Sequence, residues 1–185
     1  MTEPIVLAST SPQRRAILTQ LGVPFEVVPP GYEEAAAGDP VEHAVGKARS
    51  VSAARGPVLG VDTVVSCGGR LLGKPTDAAE AERMLELLSG KTHQVVSGLC
   101  LRTGAWEEVA TETTHVTFRT LTPRDLAHYL RSGEWEGRAG AYAIQGFGAS
   151  LVERVEGDYL NVVGLPGALL VRLLAERFPG TYGFG

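Results

Sequence analysis

The sequence predicts a mixed α/β fold, and two stretches indicate this most clearly. Residues 5–8 form a short apolar run, typical of a strand. A helical pattern follows it, with Ser11 suited to the N-cap and Gly22 suited to the position just past the end. Residues 58–72 contain two apolar runs separated by a Gly-Gly pair, which is typical of a β-hairpin with a two-residue turn.

The rest of the chain continues this mixture of strands and helices. Besides residues 5–8, strands are predicted over residues 25–28, 94–101, 107–121 and 151–155, together with the two hairpin strands on either side of the Gly-Gly pair within residues 58–75. Helices are predicted over residues 12–21, 40–55, 77–88, 122–130 and 164–174. The glycine-rich residues 138–148 are predicted to be loop or tight strand, and the tail from Pro179 to be loosely held.

The composition is that of one globular protein. A chain of 185 residues with 44% hydrophobic and 21% charged residues is long enough for one buried core, so we expect a single domain over residues 1–185. The net charge of −4 argues against a nucleic-acid partner, which would require a basic face.

The location is predicted from what the sequence lacks and from its thiols. It has no recognisable signal peptide and no apolar run long enough to cross a bilayer, so we expect a cytoplasmic protein without a membrane partner. Cys67 and Cys100 have neither the spacing of a zinc site nor that of a disulfide framework. Both are predicted to be reduced, partly buried thiols.

Asp62 is the most informative residue, because it interrupts an apolar run that predicts a buried strand. Burying a carboxylate is costly unless it is paired or bound to a ligand. The predicted hairpin delivers Lys74 at its far end, so an acid and a base on rigid β structure could converge on a charged ligand. The alternative is an acid at the end of a strand that solvates a sheet edge.

Residues 68–74 match the G-x-x-x-x-G-K spacing of a phosphate-binding P-loop, but we reject this interpretation. Pro75 stands where a P-loop has the hydroxyl that binds Mg²⁺, and it disfavours helical geometry at Lys74. A hairpin strand is therefore the better prediction.

An anion site is predicted where the first helix begins. Ser9, Thr10 and Ser11 supply hydroxyl groups beside the free backbone N–H groups of the helix start. Arg14 and Arg15 supply guanidinium groups, although basic residues in a first turn oppose the helix dipole. The alternative is an ordinary capped surface helix with solvated arginines.

Other candidates have weaker signals. Lys47 lies beside the apolar face of its predicted helix, and the residues alone favour a solvated lysine there. Glu33 and Glu34 are adjacent carboxylates in a predicted loop, where such a pair is more often solvated than catalytic. Gln145 is suited to a base edge, because its side chain has both a donor and an acceptor.

Several segments together resemble the Maf-type nucleoside triphosphate pyrophosphatases. These are LASTSPQRRAIL, LGVDTVV with LGKP, LSGKTHQVVSG, HVTFRTL, and RAGAYAIQGFG followed by GDYLNVVGLP. They occur in the family's order from Leu7 to about Leu174, and their joint occurrence is specific. The resemblance implies an α/β fold, a two-lobed mixed sheet flanked by helices with a central cleft, similar to inosine triphosphate pyrophosphatases. It also implies a homodimer that hydrolyses nucleoside triphosphates to the monophosphate and pyrophosphate in a house-cleaning role.

The resemblance further implies roles in the chemistry. Asp62 would accept a proton from the water that attacks the α-phosphorus, and would also be a metal ligand. Lys47 and Lys74 would offset the charge on the phosphoryl oxygens and on the leaving pyrophosphate.

It likewise implies the groups that hold the substrate and the metal. Ser9, Ser11 and Arg14 would hold the phosphates. Glu33 would help to place Mg²⁺ or Mn²⁺, with Glu34 the less favoured candidate. Waters and the triphosphate itself would complete the coordination.

Three positions are linked to base choice in this family, namely Gln13, Thr63 and Gln145. Thr63 and Gln145 match the group that acts on dTTP and UTP, so these and modified pyrimidine triphosphates are the predicted substrates. Gln13 departs from the pattern, because members of that group often have arginine there and 7-methyl-GTP pyrophosphatases have an aromatic residue. The lost arginine should weaken binding unless Arg14 or Arg15 substitutes for it.

Two alternative functions stay open at this point. One is hydrolysis of 7-methyl-GTP, and the other is a nucleotide-binding regulator of cell division, since the family name is tied to septum formation. A pure binder needs no acid placed to activate water, so Asp62 and the two lysines favour catalysis.

Overall fold

The computed structural model describes residues 3–33, 38–52 and 55–185, and its strands form one seven-stranded mixed sheet. The strands are β1 (Ile5–Leu7), β2 (Phe25–Val27), β3 (Val58–Cys67), β4 (Arg70–Leu72), β5 (Thr92–Arg102), β6 (Glu107–Phe118) and β7 (Val152–Glu156). Their order is β2-β1-β3-β5-β6-β7, with β4 paired to β3. β2 and β3 run parallel to β1, whereas β4 is antiparallel to β3 and β7 to β6.

Helices flank this sheet, which confirms the predicted α/β class. The described residues form α1 (Pro12–Gln20), α2 (Pro40–Ser50), α3 (Ala78–Leu88), α4 (Pro123–Ser132), α5 (Tyr159–Val163) and α6 (Gly167–Arg177). Two 3₁₀ turns lie at Ala139–Ala141 and Gly146–Leu151. None of the helices in this part of the chain is long and apolar enough to span a membrane.

The predicted helix starts are built by the side chains that the sequence indicates. The Ser11 hydroxyl accepts from the backbone N–H of Arg14, and Pro12 opens α1. Thr122 and Asp125 form a reciprocal capping box at the start of α4. These ends were predictable because a cap is a local interaction.

The predicted hairpin is also present. Cys67 pairs with Arg70 across the turn, and Gly68 and Gly69 both have positive φ, 58° and 78°. A two-residue turn whose twist matches that of the two strands requires positive φ at both of its central residues. Glycine adopts positive φ without steric cost. The P-loop interpretation was rightly rejected, since Arg70–Leu72 is a strand.

Some boundaries differ from the predictions, and one short helix was not predicted. α2 ends at Ser50 rather than near residue 55, because Val51 is extended (ψ 112°) and the Ser50 hydroxyl donates to the Lys47 carbonyl. Residues 53–54 lie outside the described part of the chain. β6 ends at Phe118 rather than residue 121, and α5 was not predicted because five residues are too few to show periodicity.

The carboxyl-terminal tail is packed, so the prediction of a loose tail is wrong. Tyr182 is 6% exposed, and its hydroxyl donates to the Glu3 carbonyl at 2.9 Å. Its ring lies edge-on against Phe178, with centroids 5.4 Å apart.

The residues group into two compact units. The first unit comprises Met1–Thr63, Ser97–Glu112 and Gly164–Gly185, and the second comprises Val64–Val96 and Thr113–Val163. A buried cluster of the first unit includes Val6, Ala44, Ala48, Val58 and Cys100. A larger one in the second unit includes Leu85, Phe118, Tyr129, Tyr142 and Leu151. The single domain over residues 1–185 stays a prediction.

Both cysteines are free, as expected for reduced thiols, and both are buried rather than partly buried. Burial, and secondarily the charge of Glu107, raises the pKa of the Cys100 thiol to about 12. The thiolate form that attacks disulfides and thiol reagents is therefore scarce at Cys100 at neutral pH.

His93 is a buried histidine that makes the second unit sensitive to acid. It is 1% exposed, and its Nε2 lies 2.8 Å from the Tyr142 hydroxyl. Burial lowers the pKa of His93 from 6.5 to about 4. As the pH falls between these values, the unfolded chain takes up a proton that the folded chain does not. The contribution of neutral His93 to the free energy of unfolding is therefore fully present above pH 6.5. It is lost as the pH falls toward 4, which lowers the free energy of unfolding by about 3 kcal/mol.

Replacing His93 by leucine should remove this pH dependence. Between pH 7 and pH 4, the free energy of unfolding of H93L should fall by about 3 kcal/mol less than that of the wild type. Urea unfolding at a series of pH values measures both profiles. Parallel profiles would mean that His93 is protonated in the folded state or does not titrate in this range.

Candidate active site

Asp62 is a buried carboxylate within β3. The four residues before it in the strand are buried as well, and Asp62 itself is 8% exposed. It is therefore not an acid that solvates the end of a strand, and that alternative is wrong. A charge in this environment requires partners, because removing it from water costs several kcal/mol.

Two side chains on one face of α2 contact the Asp62 carboxylate. Lys47 Nζ donates to Asp62 Oδ1 at 2.6 Å and to the Val61 carbonyl at 3.4 Å. His43 Nδ1 lies 3.3 Å from Asp62 Oδ2. Lys47 and His43 are 4% and 5% exposed, so each carboxylate oxygen contacts a buried nitrogen.

Glycine at position 60 lets α2 lie this close to β3. A Cβ on Gly60 would collide with the Ala44 carbonyl oxygen and would lie 2.9 Å from the Ala48 Cβ. Since real Cβ atoms essentially never approach so closely, any larger residue would push the helix away. The glycine two residues before Asp62 thus brings the helix into hydrogen-bonding distance of the acid.

The interpretation of Lys47 as a solvated lysine is wrong. The Lys47 side chain extends from beside the apolar face of α2 to Asp62. The carboxylate supplies the countercharge that offsets the cost of burying the Lys47 ammonium group. His43 was not predicted as a site residue at all. Its spacing of four from Lys47, which places both on one helical face, was the signal that could have identified it.

The loop between β1 and α1 forms a connected polar network. The Ser9 hydroxyl oxygen accepts from the backbone N–H of Ser11 at 3.2 Å and from Arg14 Nη1 at 3.1 Å. The Ser11 hydroxyl donates to Gln13 Oε1 at 3.1 Å. The side chains proposed for phosphate binding are thus gathered at a helix start, where N–H groups favour anions.

The carbonyl of Gly164 ties this loop to β3. It accepts from Arg14 Nε at 2.9 Å and from the Thr63 hydroxyl at 3.4 Å. The Thr63 hydroxyl also shares a 2.8 Å hydrogen bond with Ser97. Because successive strand residues face opposite sides, Thr63 lies on the other face of β3 from Asp62. No sequence signal marks a backbone carbonyl as an acceptor, so Gly164 was missed.

The candidate metal ligands are few. Glu33 is exposed, and Glu34 lies outside the described residues. Within the described ranges, no group of three or more His, Cys, Asp or Glu side chains is placed to hold a metal ion. Tyr32, next to Glu33, packs edge-on against the His43 ring with centroids 5.9 Å apart. The segment that carries Glu33 therefore contacts a partner of Asp62.

Lys74 and Gln145 belong to the second unit. Lys74 is exposed two residues after the end of β4. The residue before it, Gly73, is held by a 3.1 Å hydrogen bond from the Gly140 N–H to the Gly73 carbonyl. Gln145 is exposed and extended (φ −83°, ψ 167°), and it precedes the 3₁₀ turn Gly146–Leu151. Both side chains are accessible to a ligand.

Comparison with known proteins gives a consistent result. The model of the family described as Maf-like protein matches residues 4–177. A protein of Deinococcus radiodurans named dTTP/UTP pyrophosphatase is 49% identical over 98% of this chain and 95% of its own length. Proteins of the same name from Gloeobacter violaceus and Thermococcus gammatolerans are 47% and 48% identical, covering 95% and 91% of this chain and 97% and 94% of theirs.

A solved structure gives a weaker match. The structure of the Staphylococcus aureus Ham1 protein aligns with 63% of this chain and 72% of that chain, with a TM-score of 0.43 and 17% identity. Likeness at this level does not establish a shared fold.

Proposed function

We propose that this chain, which belongs to the Maf-like protein family, hydrolyses nucleoside triphosphates to the monophosphate and pyrophosphate. dTTP and UTP are the proposed substrates, together with modified pyrimidine triphosphates. The observation that carries the proposal is the buried Asp62, held by Lys47 and His43, in a chain 49% identical to a dTTP/UTP pyrophosphatase.

The proposed base is Asp62. It takes a proton from a water molecule as that oxygen bonds to the α-phosphorus, and the bond from the α-phosphorus to the bridging oxygen breaks to release pyrophosphate. A carboxylate has about four lone-pair sites, and Lys47 and His43 use one on each oxygen. Other lone pairs of the Asp62 carboxylate therefore stay available for the water. The hydrogen bonds from the two α2 residues hold the carboxylate in one orientation.

The proposed roles of the remaining residues are electrostatic. Lys47 and Lys74 offset the charge that develops on the phosphoryl oxygens and the leaving pyrophosphate. Ser9, Ser11 and Arg14 hold the phosphates at the start of α1, which is consistent with their mutual hydrogen bonds.

A divalent cation, Mg²⁺ or Mn²⁺, fits a donor set of this kind. Mg²⁺ is commonly held by one or two carboxylates, with waters and substrate phosphates as its other ligands. Glu33 and Asp62 are the side chains that we propose would hold it. When bound, it would supply positive charge to the triphosphate.

Base choice is proposed to rest on Thr63 and Gln145, whereas Gln13 is proposed to act on the phosphates. Gln13 Oε1 accepts from the Ser11 hydroxyl, so this glutamine is part of the phosphate loop's network. An arginine at position 13 would bring a charge that glutamine lacks, and the neighbouring Arg14 already donates to Ser9 in the same loop. We therefore propose that Gln13 weakens phosphate binding without changing the preferred base.

Pyrophosphate release from a panel of nucleotides tests the substrate. The panel comprises dTTP, UTP, 5-methyl-UTP, CTP, GTP and 7-methyl-GTP, each with Mg²⁺ or Mn²⁺. We expect dTTP and UTP to have the highest kcat/KM. A preference for 7-methyl-GTP would overturn the substrate assignment, and binding without any release would favour a nucleotide-binding regulator.

His43 is expected to support catalysis through Asp62. Leucine at position 43 removes the nitrogen that contacts Oδ2, whereas the Nδ2 of asparagine lies near the position of the histidine Nδ1. A hydrogen bond to a charged group contributes about 1.5–3 kcal/mol, which corresponds to roughly a 10- to 100-fold change in rate. We expect H43L to lose about that much kcat, with H43N retaining most of it. Equal losses in both variants would mean that His43 only fills space.

The last three expectations concern oligomeric state, nucleic-acid binding and location in the cell. We propose that the chain forms a homodimer, binds no nucleic acid and acts in the cytoplasm. Light scattering after size-exclusion chromatography measures the first, and a molar mass of one chain would overturn it.

A further inference from the structure

The segment 143–148, which carries Gln145, is held by two side chains that have no role in the chemistry proposed above. Both holding residues lie in the second unit, as does the segment itself. One binds the chain before Gln145, and the other binds the chain after it.

Glu134 binds the chain after Gln145. Its Oε1 accepts from the Phe147 N–H at 2.9 Å, and its Oε2 accepts from the Gly148 N–H at 3.0 Å. Hydrogen bonds to an ionised acceptor are about twice as strong as neutral ones, and here one carboxylate holds two successive backbone groups. The Phe147 ring also stacks on His128, with centroids 4.6 Å apart and an interplanar angle of 11°.

Tyr129 binds the chain before Gln145. Its ring is fully buried, and its hydroxyl accepts from the Ala143 N–H at 3.0 Å. The two ends of the segment also touch, because a Cβ on Gly148 would collide with the Ala143 carbonyl oxygen. The segment is thus a closed loop bound at both ends, with Gln145 exposed between them.

Gly146 completes the loop. Its φ of 63° favours glycine, and a Cβ there would lie 2.5 Å from Glu134 Oε1. The glycine therefore permits both the turn and the close approach of the Glu134 carboxylate. The sequence predicted only a glycine-rich loop here, because Glu134 lies 13 and 14 positions before the two residues that it binds and shows no pattern.

The orientation of the Gln145 amide decides which base edge it can bind. An amide presents a donor and an acceptor side by side, and turning it over exchanges them. Uracil and thymine present an acceptor beside a donor at O4 and N3, whereas cytosine presents the reverse. A glutamine discriminates between these bases only when one orientation of its amide is favoured, and a fixed backbone limits the rotamers in which the amide can reach the base.

We propose that Glu134, supported by Tyr129, is a positioning residue that fixes Gln145 and thereby sets the selectivity for thymine and uracil over cytosine. The inference rests on the proposed function, in which Gln145 contacts the base. It assigns no chemical step to Glu134, whose carboxylate accepts hydrogen bonds from two backbone N–H groups of the loop.

The test compares E134Q with E136Q, which makes the same charge change two residues away at an exposed position. In E134Q one backbone N–H faces an amide NH₂ instead of an oxygen. We expect kcat/KM for dTTP to fall about tenfold, mainly through KM, and that for CTP to change little. E136Q should match the wild type. Amide hydrogen exchange at Phe147 and Gly148 should accelerate in E134Q only.

Several outcomes would overturn the inference. They are an equal loss for dTTP and CTP, faster exchange with unchanged selectivity, or unchanged exchange. If the wild type binds nucleotides without hydrolysing them, the proposed function fails. The ratio of dTTP affinity to CTP affinity in the same variants then still tests the positioning role.

If E134Q does not fold, Y129F replaces it, because Y129F removes the hydroxyl that accepts from the Ala143 N–H. Y129F should lower the preference for dTTP over CTP, and an unchanged preference would overturn the inference.

Discussion

Replacing Asp62 by asparagine is expected to lower the rate of pyrophosphate release from dTTP by about 10²–10⁴-fold, while the nucleotide still binds. The amide keeps the shape of the carboxylate but cannot take the proton of the attacking water. A positioned general base contributes about this range of rate. Pre-steady-state and steady-state pyrophosphate assays give the rate, and calorimetry gives the affinity for dTTP.

The outcome discriminates between roles for the acid. A D62N protein that keeps more than about a tenth of the activity would show that another group accepts the proton. A folded D62N protein that no longer binds dTTP would show that the carboxylate mainly holds the substrate or metal. Unfolding curves must accompany the assay, because asparagine leaves Lys47 buried without its countercharge.

Replacing Lys47 by methionine is expected to destabilise the protein by about 3–5 kcal/mol and to abolish most of the activity. Methionine has a similar length and fills the site, but it leaves Asp62 as a buried charge that has lost its closest partner, 2.6 Å away. Breaking one side of a buried ion pair has this cost because desolvation of the remaining charge is no longer offset. The free energy of unfolding in urea at neutral pH measures the change.

A control and a double variant make the test specific. K91M removes an exposed lysine whose Nζ donates to the Leu87 carbonyl at 2.9 Å, and it should lower the free energy of unfolding by only about 1 kcal/mol. The pair K47M and D62N together should recover much of the stability lost in K47M, because no unpaired buried charge remains. A K47M protein as stable as K91M would contradict the buried pair.

Much of the fold was predictable because its signals are local. Ser11 and Thr122 cap helices through residues three positions away, and Gly68 and Gly69 set a turn by their own backbone freedom. Such features depend on a few adjacent residues, so a sequence displays them directly.

Asp62 and Lys47 were both named as candidates from the sequence, but their contact with each other was not predicted. Lys47 reaches Asp62 only because Gly60 lets α2 approach β3, and that contact joins parts of the chain 15 residues apart. Periodicity places a side chain on one face of a helix, but it does not say what that face meets. For the same reason His43 was overlooked, although its spacing from Lys47 was visible.

Backbone acceptors and short turns account for most of the remaining differences. The Gly164 carbonyl, which accepts from Arg14 and Thr63, has no counterpart in a side-chain pattern. The 3₁₀ turn Gly146–Leu151 depends on a carboxylate from outside the segment, so its own glycine-rich composition indicated only a loop.

Hydrolysis of dTTP in ¹⁸O-labelled water tests the central claim most directly. The proposed attack of water on the α-phosphorus predicts dTMP with one ¹⁸O atom in its phosphate and unlabelled pyrophosphate, both measured by mass spectrometry. Label in pyrophosphate would place the attack on the β-phosphorus. The formation of dTDP with labelled inorganic phosphate would place it on the γ-phosphorus, and either result would contradict the account.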